Sequence, residues 1–284
     1  MSNVLIIDGN NLLFQMFYGF PRKIYNKKGQ TIHATIGFIS ALLRLIQLTK
    51  SDKIIVIFDQ DGSEERLLQY SDYKKNRMVH WEKLPLDEIP FTEEENIKKC
   101  LDYLEIKYLS SKNMEADDLI ASLALFYAHH HLVYICSNDS DFYQLINNNI
   151  TIVRYKGKNS QFVDKEEFFE KFRFLPEKYV FYKCLLGDVS DNIKGFRNIG
   201  VKRATNIVQN SKDFTDFINK INELLPIKLA QQVLKEQSTY ALNEKLIKLK
   251  YKKEIHYSIE YFSYNQEKIK QSNSSILSFN GIFN

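Results

Sequence analysis

A mostly parallel α/β sheet flanked by helices is the fold class this sequence predicts. Two kinds of observation predict it. Short continuous apolar runs recur at 4–7 (Val-Leu-Ile-Ile), 53–58, 131–136 and 150–153, as expected of strands buried on both faces. Between them, 35–48 and 116–126 carry apolar residues at helical spacing, and strands alternating with helices make a parallel sheet. From about residue 176 the pattern turns mainly helical, which predicts two regions, 1–180 and 181–284. Helices are expected in the second region at 213–225, 228–235 and 239–249.

Taken in order, the first run ends at Asp8-Gly9-Asn10-Asn11, where Asn10 and Asn11 can cap a following helix. The second ends at Asp59, and the third is followed by Ser137-Asn138-Asp139-Ser140-Asp141. One Asp after a strand is usually a helix cap. Three such strands delivering acids to the edge where open α/β sheets place ligands predict a shared acidic site. Met114-Glu115-Ala116-Asp117-Asp118 opens the helix at 116. Acids in a first turn also complement the helix dipole, and Asp118 is the best candidate for a purely structural role. Further on, Asp188 and Asp191 sit three apart in Gly187-Asp188-Val189-Ser190-Asp191-Asn192-Ile193-Lys194-Gly195.

Residues 60–95 combine Arg66, Lys74, Lys75, Arg77 and Lys83 with Tyr70, Tyr73, His80 and Trp81. Aromatics interleaved with basic residues suit a single-stranded nucleic acid, whose bases stack while its phosphates are neutralised. The same pattern also suits a solvated helix with aromatic anchors in the core. Beyond Gly195, the segment Phe196-Arg197-Asn198-Ile199-Gly200-Val201-Lys202-Arg203 continues into a run, Lys194 to Lys212, with five Lys or Arg and no Asp or Glu. A glycine turn feeding a basic helix start is a phosphate site by its dipole and free N–H groups.

Composition bounds these readings. The chain has 284 residues, 44% hydrophobic and 26% charged, as in an ordinary globular protein rather than a disordered one. The net charge of +4 is small, so the clustering of charge matters more than its total. Cys100, Cys136 and Cys184 show no paired spacing, which predicts reduced thiols rather than disulfides or zinc. Only four apolar residues precede Asp8, and no apolar run approaches membrane length. The expectation is a cytoplasmic protein without membrane contact.

Asp8, Asp59, Glu115, Asp117, Asp118, Asp139, Asp141, Asp188 and Asp191 form the candidate cluster. So many acids on one edge raise one another's pKa unless cations neutralise them. Oxygen-only ligation favours Mg²⁺ or Mn²⁺ over zinc. A pair of such ions about 4 Å apart would clamp a scissile phosphodiester. Gly9 and Gly62 are isolated, so no Walker loop competes, and there is no Ser–His–Asp arrangement. Residue types alone thus point to a phosphodiesterase acting on nucleic acid.

These residues, in this order, resemble the 5′-nuclease family: bacteriophage flap endonucleases and the 5′→3′ exonuclease domain of bacterial DNA polymerase I. The resemblance rests on Ile7-Asp8-Gly9-Asn10, Phe58-Asp59, Glu115-Ala116-Asp117-Asp118, Asn138-Asp139-Ser140-Asp141 and Gly187 to Ile193, with Gly195 and Ile199 to Arg203. It implies a PIN-like or resolvase-like nuclease domain over 1–180, a helical arch at about 64–95, and a duplex-binding helix–three-turn–helix in 181–284. It assigns Asp8, Asp59, Glu115, Asp117 and Asp139 mainly to a first metal, and Asp141, Asp188 and Asp191 to a second. Lys74 would lie beside the scissile phosphate, Arg77 would steer it and Tyr73 would stack on a base, with Arg66 a further nucleic-acid contact. The turn between Gly195 and Gly200 would hold K⁺, supported by Lys202 and Arg203. Lys75, where phage relatives carry glycine, and the basic turn Phe196-Arg197-Asn198 depart from the pattern. The implied activity is cleavage of 5′ flaps and 5′→3′ degradation of DNA with flaps, overhangs or nicks, by a monomer lacking a clear clamp-binding motif. The competing readings are a PIN-like ribonuclease and an inactive DNA-binding accessory protein.

Overall fold

The computed structural model describes residues 1–59, 66, 70, 72–74, 83–111, 114–252 and 255–274. A six-stranded sheet organises the N-terminal half. Its strands are β1 (Asn3–Asp8), β2 (Lys53–Asp59), β3 (Lys107–Ser111), β4 (Leu132–Cys136), β5 (Ile150–Arg154) and β6 (Gln161–Val163), in spatial order β3-β2-β1-β4-β5-β6. All neighbours are parallel except β5 and β6. Register places Asp8 beside Ile57 and Ile7 beside Cys136.

Alternation along the strands explains how both faces are covered. Leu5, Ile7, Ile54, Val56 and Phe58 pack with Phe38, Leu42 and Ile97. These come from helices α2 (His33–Thr49) and α3 (Glu94–Tyr103), with α1 (Gly9–Gly19) on the same face. Val4, Ile6, Ile55, Ile57 and Val133 face the other way, onto Ile120, Ala121 and Ala124 of α4 (Ala116–Tyr127). β1, β2 and β4 are therefore covered on both sides, the situation that continuous apolar runs predict.

The second half is helical: α5 (Lys165–Phe172), α6 (Tyr179–Leu186), α7 (Val201–Asn210), α8 (Phe214–Asn219), α9 (Ile221–Leu224), α10 (Ile227–Lys235), α11 (Gln237–Ile247) and α12 (Gln266–Ser274). Between α6 and α7 lies a short antiparallel ribbon, β7 (Gly187–Asp188) and β8 (Ile193–Lys194). Phe168, Tyr179, Phe196, Ile207 and Phe217 join the same apolar cluster as Val4 and Ile6, so one core runs through both halves.

The structure corrects several boundaries. The helix expected at 213–225 is broken at Lys220, which leaves helical geometry (φ −105°, ψ 10°). β3 and β6 have no continuous apolar run, because both are edge strands with partly exposed residues. A helix begins directly at Gly9, capped by Asp8 rather than by Asn10 or Asn11. The three cysteines are free and buried. Among the described residues, no helix is long and apolar enough to cross a membrane.

Candidate active site

Adjacent parallel strands β1, β2 and β4 deliver Asp8, Asp59 and Asp139 to one edge of the sheet. Asp8 accepts hydrogen bonds from the Asn11 amide (3.0 Å) and Ser137 Oγ (2.8 Å), and the Asp139 amide donates back to Ser137 Oγ (3.0 Å). One hydroxyl thus links two of the acids. The side chains expected to cap a helix do other work. Asn10 Oδ1 accepts from the Asp59 amide (2.9 Å), and Asn11 Oδ1 from the Asn138 amide (3.0 Å). They pin the ends of β2 and β4 to the start of α1, fixing the spacing of the three strand-end carboxylates.

Asp59 accepts from Ser111 Oγ (2.9 Å) at the end of β3. Glu115 precedes α4 and receives Arg66, Lys74 Nζ (3.2 Å) and Tyr73 Oη (3.4 Å). Asp118 accepts from Arg66 (2.9 Å) and the Lys250 amide (2.9 Å), a structural role that joins α4 to the end of the helical half. Burial pushes Asp8 up to about 6, with Asp139 and Asp59 adding repulsion and the Asn11 and Ser137 hydrogen bonds opposing it. Asp117 is pushed well above the usual carboxylate range by burial, then by Asp139 and Asp8. Burial also raises Asp59, with Glu115 adding to it. These acids face one another closely enough that full ionisation is costly without a cation.

A second group is tighter. Carboxylate oxygens of Asp141, Asp188 and Asp191 all lie within 4.8 Å of one another. Among the described residues, no other three His, Cys, Asp or Glu side chains converge as closely. Asp141 rides on the turn after Asp139, whose side chain caps it (2.9 Å to the Asp141 amide). Asp188 and Asp191 ride on the β7–β8 ribbon. Gly187 has φ +74°, and a Cβ on Gly195 would lie 2.1 Å from the Leu186 carbonyl oxygen. Only glycine permits that approach, which brings the ribbon against the end of α6.

Lys183, on α6, is the residue sequence reasoning missed. Its ammonium is 2.9 Å from Asp141 and also pairs with Asp188. Burial works against that charge, but Asp141 and Asp188 outweigh it and hold Lys183 above the usual lysine range. Burial pushes Asp141 up to about 7 despite Lys183, with Asp139 and Asp188 adding repulsion. Burial alone would also raise Asp188, but hydrogen bonds from Lys183 and Ser190 pull it below its ordinary value. The spacing from Lys183 to Asp188 spans a helix end and a left-handed glycine, so no sequence periodicity announces the pair.

The basic residues expected at the nucleic acid divide. Arg66 is 2% exposed and spent on Glu115 and Asp118, so it is corrected from a nucleic-acid contact to a counter-ion of the site. Tyr73 is buried with Cys184, Ile193, Leu246 and Ile247, its hydroxyl on Glu115 and Asp191. It is an anchor rather than an open stacking platform, as in the plainer reading of this segment. Lys74 reaches the cluster: its ammonium is on Glu115 and its amide donates to the Asp191 carbonyl (3.0 Å). Arg77, Lys75, His80, Trp81 and much of the expected arch lie outside the described residues. Gly200 starts α7 with open space around it, and Lys202 and Arg203 are exposed in its first turn. Arg203 donates to the Asn198 carbonyl (2.7 Å), closing the turn after Gly195.

The chain matches two family models that together cover most of its length. Residues 3–173 match the N-terminal resolvase-like domain of 5′-3′ exonucleases, and residues 174–270 match their C-terminal SAM fold. The chain belongs to the 5′-3′ exonuclease family. Similar curated proteins include the 5′-3′ exonucleases of Aquifex aeolicus (32% identical over 74% of this chain and 70% of that one) and Buchnera aphidicola of Schizaphis graminum (31%, 87% and 86%). DNA polymerase I of Deinococcus radiodurans is 33% identical over 73% of this chain, which spans about a fifth (21%) of that polymerase. Among solved structures, zinc-bound bacteriophage T5 5′-exonuclease superposes with a TM-score of 0.70 at 23% identity, covering 97% and 98% of the two chains. The T5 flap endonuclease in a complex with DNA and metal ions gives 0.68 at 24%, covering 87% and 89%. As a member of this exonuclease family, the protein is a nuclease that hydrolyses phosphodiester bonds. Its donor set fits a hard divalent cation: carboxylate oxygens only, several of them buried, with one trio already seating an ammonium.

Proposed function

We propose that this family member is a Mg²⁺-dependent structure-specific 5′ nuclease, with Mn²⁺ able to substitute, which removes 5′ flaps at single-strand/duplex junctions and trims DNA from the 5′ end. The observation that carries the reading is the convergence of two acidic groups on one sheet edge, adjoining a ribbon that leads into a basic helix start. The T5 and Rad2 neighbours that share the fold are described in complexes with DNA.

Asp141, Asp188 and Asp191 would hold one ion; Asp8, Asp117 and Asp139, with Asp59 and Glu115, would hold the other. When bound, such ions supply a water of lowered pKa and neutralise charge on the leaving oxygen. The chain's own groups do the rest. Ser137, Asn10, Asn11 and Ser111 fix the carboxylates before substrate arrives. Lys74, reaching over the first acidic group, neutralises charge that grows on the phosphate as the bond breaks. The Gly200 end of α7 presents amides, Lys202 and Arg203 to duplex phosphates. We propose K⁺ at the turn between Gly195 and Gly200, whose backbone carbonyls would hold it. The protein would work in the cytoplasm as a monomer, without a dedicated clamp contact.

The test is a time course on a 5′-end-labelled flap, with Mg²⁺ against chelator and an RNA hairpin as the competing substrate. Mg²⁺-dependent release of a flap-length oligonucleotide, followed by shorter products, is expected. RNA hairpin cleavage with no flap cleavage would establish a ribonuclease instead, and binding without cleavage an accessory factor.

A further inference from the structure

We propose that Lys183 is a built-in counter-ion of the Asp141–Asp188–Asp191 group, holding that site in shape when no divalent cation is present and giving way when one binds. The proposal rests on the reading of these three carboxylates as metal ligands and states how occupancy of that position is controlled.

Lys183 lies in the last turn of α6, with its side chain 10% exposed. Its ammonium reaches Asp141 Oδ1 (2.9 Å), Asp188 Oδ2 and Ser140 Oγ (3.5 Å), which accounts for its three donors. Two of the three carboxylates that converge within 4.8 Å therefore already share one positive charge from the chain itself. A divalent ion drawn to Asp141 and Asp188 must compete for the oxygens the ammonium holds. At contact distance, two cations sharing those oxygens repel each other strongly in a poorly solvated site. Among the described residues, Arg66 pairs with Glu115 and Asp118, and Lys74 with Glu115. Ser190 separately holds the second oxygen of Asp188 from its amide (2.8 Å) and hydroxyl (2.6 Å). The ribbon can thus keep Asp188 in place while the ammonium leaves.

Two opposite consequences follow from one side chain. Without metal, Lys183 relieves repulsion between buried carboxylates on separate elements, the Asp139–Leu145 turn and the β7–β8 ribbon, and so stabilises the fold. With metal, the same charge weakens binding at this position, because a buried ion pair must be broken first. A group serving only to position a ligand would show the first effect without the second.

The experiment compares wild type with Lys183→Met, which keeps the aliphatic length, and Lys183→Arg, which keeps the charge. Thermal unfolding in chelator and calorimetric titration with Mn²⁺, both without DNA, are read independently of activity. Asp188→Asn identifies the component of the isotherm that belongs to this trio, since that component should vanish. Lys183→Met is expected to lower the metal-free Tm by ~5 °C or more and to bind Mn²⁺ at this component about tenfold more tightly. Lys183→Arg should stay near wild type in both. If Lys183→Met is unfolded in chelator, folding on addition of Mn²⁺ supports the exchange, and failure to fold at saturating Mn²⁺ contradicts it. Equal or weaker Mn²⁺ binding by Lys183→Met overturns the proposal while leaving the metal site intact. Absence of any component sensitive to Asp188→Asn overturns the metal reading itself, and the exchange with it.

Discussion

At the residue scale, the site is a balance between carboxylates that burial wants neutral and a chemistry that wants them charged. Asp8 and Asp141, pushed up to about 6 and about 7, ionise near 3.8 in an unfolded chain. Between those values the folded metal-free protein holds protons that the unfolded chain has already lost, so its stability falls as pH rises from about 4 to about 7. Asp188 is shifted the other way, so its stabilising contribution is complete above about pH 4 and is lost only as the pH falls below that. Thermal unfolding in chelator across this range should show the fall, and saturating Mg²⁺ should abolish it; a Tm rising with pH in chelator contradicts the cause. Lys74→Ala should cut the single-turnover cleavage rate by ~10²-fold or more while changing flap affinity little, because its charge is matched to the transition state rather than to bound DNA. Rates and affinity falling in parallel would instead make it a binding residue. Most of these carboxylates were legible in the sequence, because strand ends and the Gly187–Asp191 segment name them directly. Their partners were not. Ser137, Ser111 and Lys183 are common residue types whose roles come from tertiary contact alone, and the burial of Arg66 and Tyr73 depends on what packs over them.

At the element scale, the β7–β8 ribbon carries two of the proposed ligands, Asp188 on its first strand and Asp191 in its turn, and close packing at Gly195 helps to position it. Gly195→Ala would place a methyl 2.1 Å from the Leu186 carbonyl, an overpacking that should cost about 3 kcal/mol and displace Asp188. Gly200→Ala, with open space at its Cβ, should cost about 1 kcal/mol or less as a cap replacement. Denaturant unfolding of the two variants checks the contrast, and equal costs would contradict it. The same physics explains which elements the sequence reveals. Interior strands β1, β2, β4 and β5 are nearly uninterrupted apolar runs because both faces are covered. β3, with Lys107, Ser110 and Ser111 on an edge, carries no such signature. α1 is hidden because it starts without a linker, directly at the residue after the strand.

At the scale of the whole molecule, a single core ties the acidic edge to the helical half, so the proposed cleavage site and the proposed duplex grip would be held at a fixed separation. Removing Lys202 and Arg203 together by alanine substitution should leave the cleavage rate of bound substrate near wild type. It should also lessen the steepness of the log affinity–log salt plot by roughly one per lost phosphate contact. Fluorescence anisotropy on a duplex with a 5′ flap, titrated across salt, measures this; an unchanged slope would remove α7 from the duplex interface. On the proposed mechanism, acids from distant parts of the chain hold divalent ions side by side on one edge of the sheet. Anomalous diffraction from crystals soaked in Mn²⁺ tests it most directly. One peak is expected among Asp141, Asp188 and Asp191 and a second beside Asp8, Asp117 and Asp139. Manganese bound only elsewhere on the surface, with these carboxylates still paired to Lys183 and Arg66, would contradict it.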